Sequence, residues 1–366
     1  MLKSRLCIAF FAFAVGCAPA QKPLTDYVNP MLGTATLWDS VDLGFKPTKR
    51  TWGAEVFPGS SLPNAMVQVS PVTKFHSGAG YQYEDSVIYG FTHTNKGHWN
   101  LCHIPLLPVT GTPTPGDYCS PFSHERESAA PGYYQVFLDR YGVDAQLSST
   151  LRCAFHKYTY PAGAAASLLA DLQRSNEHVR AWDIRKEGDN VFAGWQQTGE
   201  KMYFYAVANR PVTGIEPVVE GDREVRIVRF GEGDGALELR IGFSFVSEKN
   251  ARENLEAEML GKSFAEVRSE ATATWNDLLG RIRVEGGTER EKGLFYSSLY
   301  RSFLWPALRS DVNGEFTDVD GKVINPGFRY YTGPSYWDDY RNKLILLGML
   351  APDVAADVIS SHTDKG

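Results

Sequence analysis

The sequence predicts a β-sandwich of antiparallel strands followed by consecutive helices joined by long loops, and two observations carry that prediction. Between residues 27 and 250, short alternating apolar runs recur with turn residues between them. Many short strands at regular spacing indicate two stacked antiparallel sheets and argue against a parallel α/β sheet. Beyond residue 250 the apolar spacing changes from two to three or four, the helical period.

The elements follow in order. Lys3 and Arg5 precede the apolar run Leu6 to Val15, with small residues after it; this reads as a secretory leader over residues 1–20, too short to span a bilayer. Its end is read two ways. Ala18-Pro19-Ala20 suits ordinary cleavage with Gln21 as the mature start. Ala14-Val15-Gly16-Cys17 resembles a bacterial lipobox, favoured because Gly-Cys directly follows the apolar core, and it makes Cys17 a lipid-bearing terminus. Residues 21–250 are expected to form the sandwich. Ala65 to Ser70 is extended, and strand-like runs follow at Tyr134-Val136-Leu138, Val143-Ala145-Leu147, Cys153-Phe155, Tyr203-Tyr205-Val207, Val225-Ile227 and Leu237-Leu239-Ile241. Gly188-Asp189-Asn190 and Gly231 to Gly235 punctuate them.

A connecting helical region spans 251–287, where Leu255, Met259, Phe264, Val267, Trp275 and Leu278 recur three or four apart, as one amphipathic helix or two. Thr288-Glu289-Arg290-Glu291 is a capping box that starts the next helix, with Phe295, Leu299 and Phe303 on one face and Pro306 at its end. Another helix is expected near Ser335, carrying Leu344, Leu347 and Leu350, and a further one at Pro352-Asp353. The faces of Phe295, Phe303 and Leu347 are expected to lack partners.

The 366 residues allow about two or three domains. A net charge of −6 argues against nucleic acid or an anionic membrane surface as partner. The mature chain keeps Cys102, Cys119 and Cys153, an odd number with wide spacing and so no disulfide framework; one pair could form in an oxidising periplasm, but buried small hydrophobes is the better reading.

The most informative stretch runs from Trp52 to Gly111. It reads W-G-A-E-V-F-P-G-S-S-L-P-N-A-M-V-Q-V-S-P from Trp52, then G-Y-Q-Y (Gly80 to Tyr83) and I-Y-G-F-T-H-T (Ile88 to Thr94). Aromatic and histidine residues on loops of a β scaffold suit the lining of a polar pocket. The order resembles the N-terminal signature of glycoside hydrolase family 92, the calcium-dependent exo-acting α-mannosidases. The resemblance implies a sandwich, a connecting helical region and an (α/α)6 toroid, of which residues 288–366 would be the incomplete start. A full family member is about twice as long.

The resemblance also assigns site residues. S-Y-W-D-D-Y-R (Ser335 to Arg341) resembles the family's S-x-W-D-T-x-R, so Trp337 would stack on the terminal mannose and Asp338 would accept its hydroxyls. Ser335 and Asp338 also fit a capping box, which leaves Asp338 a purely structural alternative. The family commonly places a Trp and then an Asp before G-Y-x-Y; here Phe75 and His76 stand there, an aromatic wall retained and an acid replaced. His93, His98 and His103 tempt a zinc reading, but their spacing fits no ligand pattern on one strand or helix. D-V-N-G (Asp311 to Gly314) and D-V-D-G (Asp318 to Gly321) read as turns in preference to calcium loops.

In the family, the Glu acid, the Asp base and the calcium site come from the later part of the toroid, so no catalytic or metal residue is assigned within residues 1–366. The expectation is one part of an exported α-mannosidase acting on mannan or N-glycans with inversion, periplasmic or lipid-anchored in a bacterium, inactive without its C-terminal half. The alternative is a non-catalytic carbohydrate-binding module. No Cys-His-Asp order supports an amidase.

Overall fold

The computed structural model describes residues 22–37, 40–46, 54–78, 80–94, 101–332 and 342–363. Trp337, Asp338, Cys17, His98, the leader and the expected helix start at Ser335 lie outside the described residues. Strands and helices, in chain order, are a short helical turn α1 (Ser40–Leu43), β1 (Ser60–Ser61), β2 (Gln68–Val72), β3 (Val87–Ile88), β4 (Gly90–Thr92), β5 (Leu106–Val109), β6 (Ser120–Pro121), β7 (Glu127–Ala130), β8 (Tyr133–Leu138), β9 (Val143–Ser149), β10 (Cys153–Thr159), β11 (Ser167–Ala170), β12 (Ala181–Lys186), β13 (Val191–Gln197), β14 (Lys201–Ala208), β15 (Val212–Glu220), β16 (Arg223–Phe230) and β17 (Leu237–Ser244). Then come α2 (Glu248–Glu258), α3 (Phe264–Leu279), α4 (Glu289–Ser302), a hairpin of β18 (Phe316–Thr317) and β19 (Val323–Ile324), α5 (Lys343–Leu350) and α6 (Pro352–Thr363). Among the described residues the strands form two large antiparallel sheets, ordered β1-β2-β4-β5-β11-β16-β15 and β12-β13-β14-β17-β10-β9-β8-β7.

The alternation sets which side chains meet between the sheets. Val136 and Leu138 from β8, Val143, Ala145 and Leu147 from β9, Ile227 from β16, and Leu237, Leu239 and Ile241 from β17 are all buried in one cluster. Strand β14 departs from expectation. Its inward face is Met202, Phe204, Ala206 and Ala208, while Tyr203, Tyr205 and Val207 face outward and are half-buried. Both faces of this strand read as apolar, so alternation alone could not choose; the register against β13 and β17 does.

The outward face is apolar for a reason. A second core forms there, where Cys153 and Phe155 of β10 meet Leu255 and Met259 of α2 and Phe264 and Val267 of α3, with Tyr205 and Val207 against it. The linker helices therefore roof the eight-stranded sheet. Contact is so close at Gly242 that an added Cβ would lie 2.1 Å from the Ala251 carbonyl oxygen. Cys102 and Cys153 are buried, and neither they nor Cys119 form a disulfide.

Both helix starts are capped as their sequences demand. Ser263 with Glu266, and Thr288 with Glu291, form complete capping boxes. Helix α3 is pinned by Trp275, fully buried, whose Nε1 donates to the Ser61 carbonyl at 2.7 Å and whose ring lies 4.4 Å from that of Tyr300. The chain start returns here too: Thr25 N donates to Asn276 Oδ1 at 3.1 Å and Asn29 N to Ser297 Oγ at 2.9 Å.

The expected unpartnered faces are corrected by this packing. Phe303 and Leu347 are buried in the cluster that also holds the inter-sheet residues, and Phe295 lies half-buried, edge-on to Tyr296. On α4, α5 and α6 the exposed large apolar side chains are instead Leu294, Ile345, Met349 and Ile359. Sandwich and helices share one continuous core.

Asp311 ties the two parts together. Only 2% exposed, its carboxylate accepts from Ser244 Oγ (2.6 Å), Asn250 Nδ2 (2.9 Å) and Asn254 Nδ2 (2.6 Å). Beside it Arg152 donates Nη1 to Glu258 at 2.6 Å and Nε to the Ser310 carbonyl at 2.7 Å. The D-V-N-G segment is thus a turn, as expected, whose first residue is an interior anchor. Asp311→Ala orphans three buried donors and is expected to destabilise the fold by about 3 kcal/mol. The exposed Asp320→Ala should stay within about 0.5 kcal/mol of wild type. Urea unfolding distinguishes them, and equal midpoints would refute the anchoring role.

Candidate functional site

One end of the sandwich gathers polar loops from distant parts of the chain. They are the β2–β3 loop, the β4–β5 loop, the β11–β12 loop, the β13–β14 turn and the segment after α4. A chain of contacts joins them. Thr73 N donates to the Gly80 carbonyl (2.8 Å), closing the β2–β3 loop, and Gly80 itself sits at φ +75°, a conformation glycine adopts without strain. His76 N donates to Asn176 Oδ1 (2.7 Å) and His76 Nδ1 to the Asn176 carbonyl (3.3 Å), which assigns the ring proton to Nδ1. Asn176 N and Ser175 Oγ both reach the Leu101 carbonyl, at 2.9 and 2.6 Å.

Phe75 and His76 part company here. His76 is exposed, at φ +59°. Phe75 is an interior residue, packed with Val72 and Cys102, edge-on to Tyr89 at 6.0 Å and beneath the Arg174 guanidinium at 5.0 Å. Arg174 is held by Tyr118 (3.2 Å), whose hydroxyl donates to Asp171 at 2.6 Å. Of the two residues, His76 is the one the structure presents.

The G-Y-Q-Y loop is fastened from below. The Tyr81 hydroxyl donates to both oxygens of the Glu127 carboxylate (2.9 and 3.0 Å), which also accepts from Tyr134 (2.5 Å) and pairs with His124 Nδ1 (2.6 Å). Burial pushes the Tyr81 and Tyr134 hydroxyls far above the ordinary phenol range, with the Glu127 charge adding to it. Tyr83 stacks on His124, ring centroids 3.9 Å apart. Both tyrosines of the motif therefore position the loop.

The described histidines of the H-x4-H-x4-H series do not converge. His93 N donates to the His103 carbonyl at 3.1 Å, so the two stretches run side by side, but their rings take different partners. His93 Nε2 meets His156 Nε2 at 2.9 Å, and His156 Nδ1 meets the Tyr158 hydroxyl at 2.6 Å. One Nε2 must carry the shared proton and the other accept it, so at least the accepting ring is neutral. His103 bridges Thr94 Oγ1 and Thr198 Oγ1, at 2.8 Å each. Burial pushes His93 down to about 3, His103 down to about 4 and His156 well below its usual range.

From Thr198 the contacts continue to the helical part. Thr198 N donates to the Glu200 carbonyl (2.9 Å), Glu200 pairs with Arg309 Nη2 (2.9 Å), and Arg309 N donates to the Tyr330 carbonyl (2.7 Å). Sequence reasoning missed Asn176, Glu200, Arg309 and His156. Their partners lie 60 to 110 residues away along the chain, and no local motif marks them.

The deeply buried carboxylates are committed to structure. Asp171 accepts from Tyr118, with Arg174 and Arg223 at 3.9 and 3.6 Å. Asp311 and Glu127 have the donors given above, and Glu258 binds Arg152 and Thr150. Burial raises Asp171 and Asp311 above the ordinary carboxyl range, while the hydrogen bonds each accepts pull the other way. None is open to a substrate. The D-V-D-G carboxylate of Asp318 closes its own hairpin, accepting from Asp320 N (2.9 Å) and Lys322 N (2.8 Å). Among the described residues no three His, Cys, Asp or Glu side chains converge as a metal requires.

Comparison with known proteins follows the same division. Residues 27–254 match the model of the glycosyl hydrolase family 92 N-terminal domain, and residues 250–366 match that of its catalytic domain. A family 92 α-mannosidase from Bacteroides thetaiotaomicron superimposes with a TM-score of 0.85 at 27% identity, over 94% of this chain and 50% of that one. A family 92 inverting mannosidase from the same organism gives 0.80 at 26% identity, over 93% and 48%. An uncharacterized secreted glycosidase of Arthroderma benhamiae is 24% identical over 79% of this chain and 42% of its own length. The chain therefore spans about half the length of the relatives it matches.

The buried histidines make stability pH-dependent. Their folded-state values are lowered, so below about 6.5 the unfolded chain takes up protons that the folded chain refuses, and stability falls with pH until about 4 for His103 and about 3 for His93. Each contributes about 1.4 kcal/mol per pH unit, roughly 4 for the three together. Urea unfolding at pH 7, 6 and 5 should show a plateau and then this decline, about a third shallower in His103→Gln. Constant stability from pH 7 to 5 would contradict the burial of neutral imidazoles.

Proposed function

The chain belongs to glycosyl hydrolase family 92, and from that premise we propose that it forms part of an exported α-mannosidase, removing terminal α-linked mannose from mannan or N-glycans with inversion. The observation that carries the reading is the match across both family domains, together with likeness throughout the chain to proteins named as α-mannosidase and inverting mannosidase. Export, with Cys17 as a lipid-bearing N-terminus in a bacterial envelope, rests on the leader reading; the secreted relative supports export.

In this proposal the chain binds and orients the sugar. Trp337 offers its ring as a stacking platform and Asp338 accepts hydroxyl protons at the terminal-mannose subsite, while His76 approaches from the sandwich side. An inverting glycosidase needs a protonated carboxyl near the leaving oxygen and a carboxylate base across the ring, roughly 6.5–9.5 Å apart. The structural commitment of Asp171, Asp311, Glu127 and Glu258 leaves those four without a catalytic role, and the resemblance assigns the pair to the later part of the family's toroid. The calcium implied by the family finds no cluster of His, Cys, Asp or Glu ligands among the described residues. The same commitment favours the second reading, a carbohydrate-binding module without catalysis.

Two measurements test this. A polypeptide carrying both halves should release mannose from an aryl α-mannoside, with β-mannose appearing first by NMR, and Trp337→Ala should lower kcat/KM about tenfold or more by removing some 1–2 kcal/mol of stacking, at little cost to melting temperature. Absence of any mannose release would leave only the binding module. Residues 21–366 alone should release none, with or without calcium. Turnover by that piece, abolished in Asp338→Ala, would place the catalytic pair within it.

A further inference from the structure

A cleft of about 630 Å³ opens between the β13–β14 turn and the β18–β19 hairpin, at the edge of the loops already described. Its size falls within the roughly 300–1,000 Å³ of small-molecule sites. We propose that this cleft is a second carbohydrate contact, holding one pyranose ring of the glycan through a vicinal pair of hydroxyls. The proposal rests on the reading that the chain handles a glycan.

Three features carry it. Charge comes first: Glu200, Asp318, Lys201 and Arg309 all line the cleft, so the four balance and favour a neutral polar ligand over an ion. The second is preorganisation. The Arg309 guanidinium lies 3.7 Å from the centre of the Phe245 ring, and its Nη2 holds the Glu200 carboxylate at 2.9 Å, although the Glu200 side chain is 57% exposed. A carboxylate held in place yet open to solvent is suited to accept two adjacent O–H groups, and prior ordering by arginine removes the cost of immobilising it on binding. The third is the apolar wall. Tyr203, Phe245 and Tyr330 line the cleft, and Lys201 Nζ lies 3.6 Å from the Trp195 ring centre and 4.9 Å from that of Tyr203. Aromatic rings beside fixed charged hydrogen-bonding groups match a pyranose, which has C–H faces and a hydroxyl rim.

The position gives the cleft its place in recognition. Glu200, whose carbonyl is bound by Thr198 of the site loops, lines it, and so does Thr332. A glycan reaching the loop end can therefore lay a neighbouring residue here.

The test uses the whole chain with two probes, methyl α-D-mannopyranoside and methyl α-D-glucopyranoside, at millimolar concentration. Hydrogen exchange should show protection by the mannoside over residues 199–203 and 316–324. In NMR titrations Glu200→Gln and Arg309→Gln should each weaken mannoside binding at least tenfold; the first is an isosteric change on the surface and preserves the fold if the second does not. Mannoside binding that protects other loops only, and is unchanged in Glu200→Gln, would overturn the cleft and leave the glycan reading standing. Binding of neither glycoside would overturn the cleft as well. Equal binding of both, lost in the variants, would uphold the cleft as a general pyranose contact.

Discussion

The buried carboxylate of Asp311 is the point on which the junction of sandwich and helices depends. Its three donors come from the end of the last long strand and from the helix that follows it, while Asp311 itself lies beyond α4. A carboxylate so far from water is tolerable only while every donor stays in place, because a lost partner leaves the others unsatisfied. The hairpin after Asp311, the Glu200–Arg309 pair and the cleft beside them all inherit their position from this clasp and from the neighbouring Arg152–Glu258 pair.

A second polar layer lies under the loop end of the sandwich. The His93–His156 pair, the His103 bridge between two threonines and the Glu127 cluster are all interior, and each ends beneath a loop of the candidate site. Burial holds the imidazoles neutral, so the scaffold gives up acid stability in return for a rigid floor. Side chains above such a floor keep their geometry without spending binding energy on ordering, which suits a site that must orient a sugar.

Much of the architecture was legible in residue order. The Thr288 capping box and the Asp-Gly hairpin depend on contacts within a few residues, and the runs of β8, β9 and β17 show themselves by two-residue alternation. The β14 register was not legible, because Met202 to Ala208 is apolar on both faces and the roofing by α2 gives the outer face a second core. Phe303 and Leu347 seemed unpartnered from spacing alone because their partners lie across the shared core. Phe75 read as a wall for the ligand, whereas Arg174, about a hundred residues later, closes over it.

The sequence by itself determined the order of elements, the sandwich-then-helix division and, through the run from Trp52 to Thr94, the family. Each of these rests on periodicity or on short motifs, where cause and consequence are close along the chain. Only the tertiary structure decided which buried carboxylates are unavailable for chemistry, which histidines pair and how Glu200 comes to be held by Arg309. Most of those are polar contacts between residues far apart along the chain, and the energy of the buried ones depends on desolvation that no local pattern encodes.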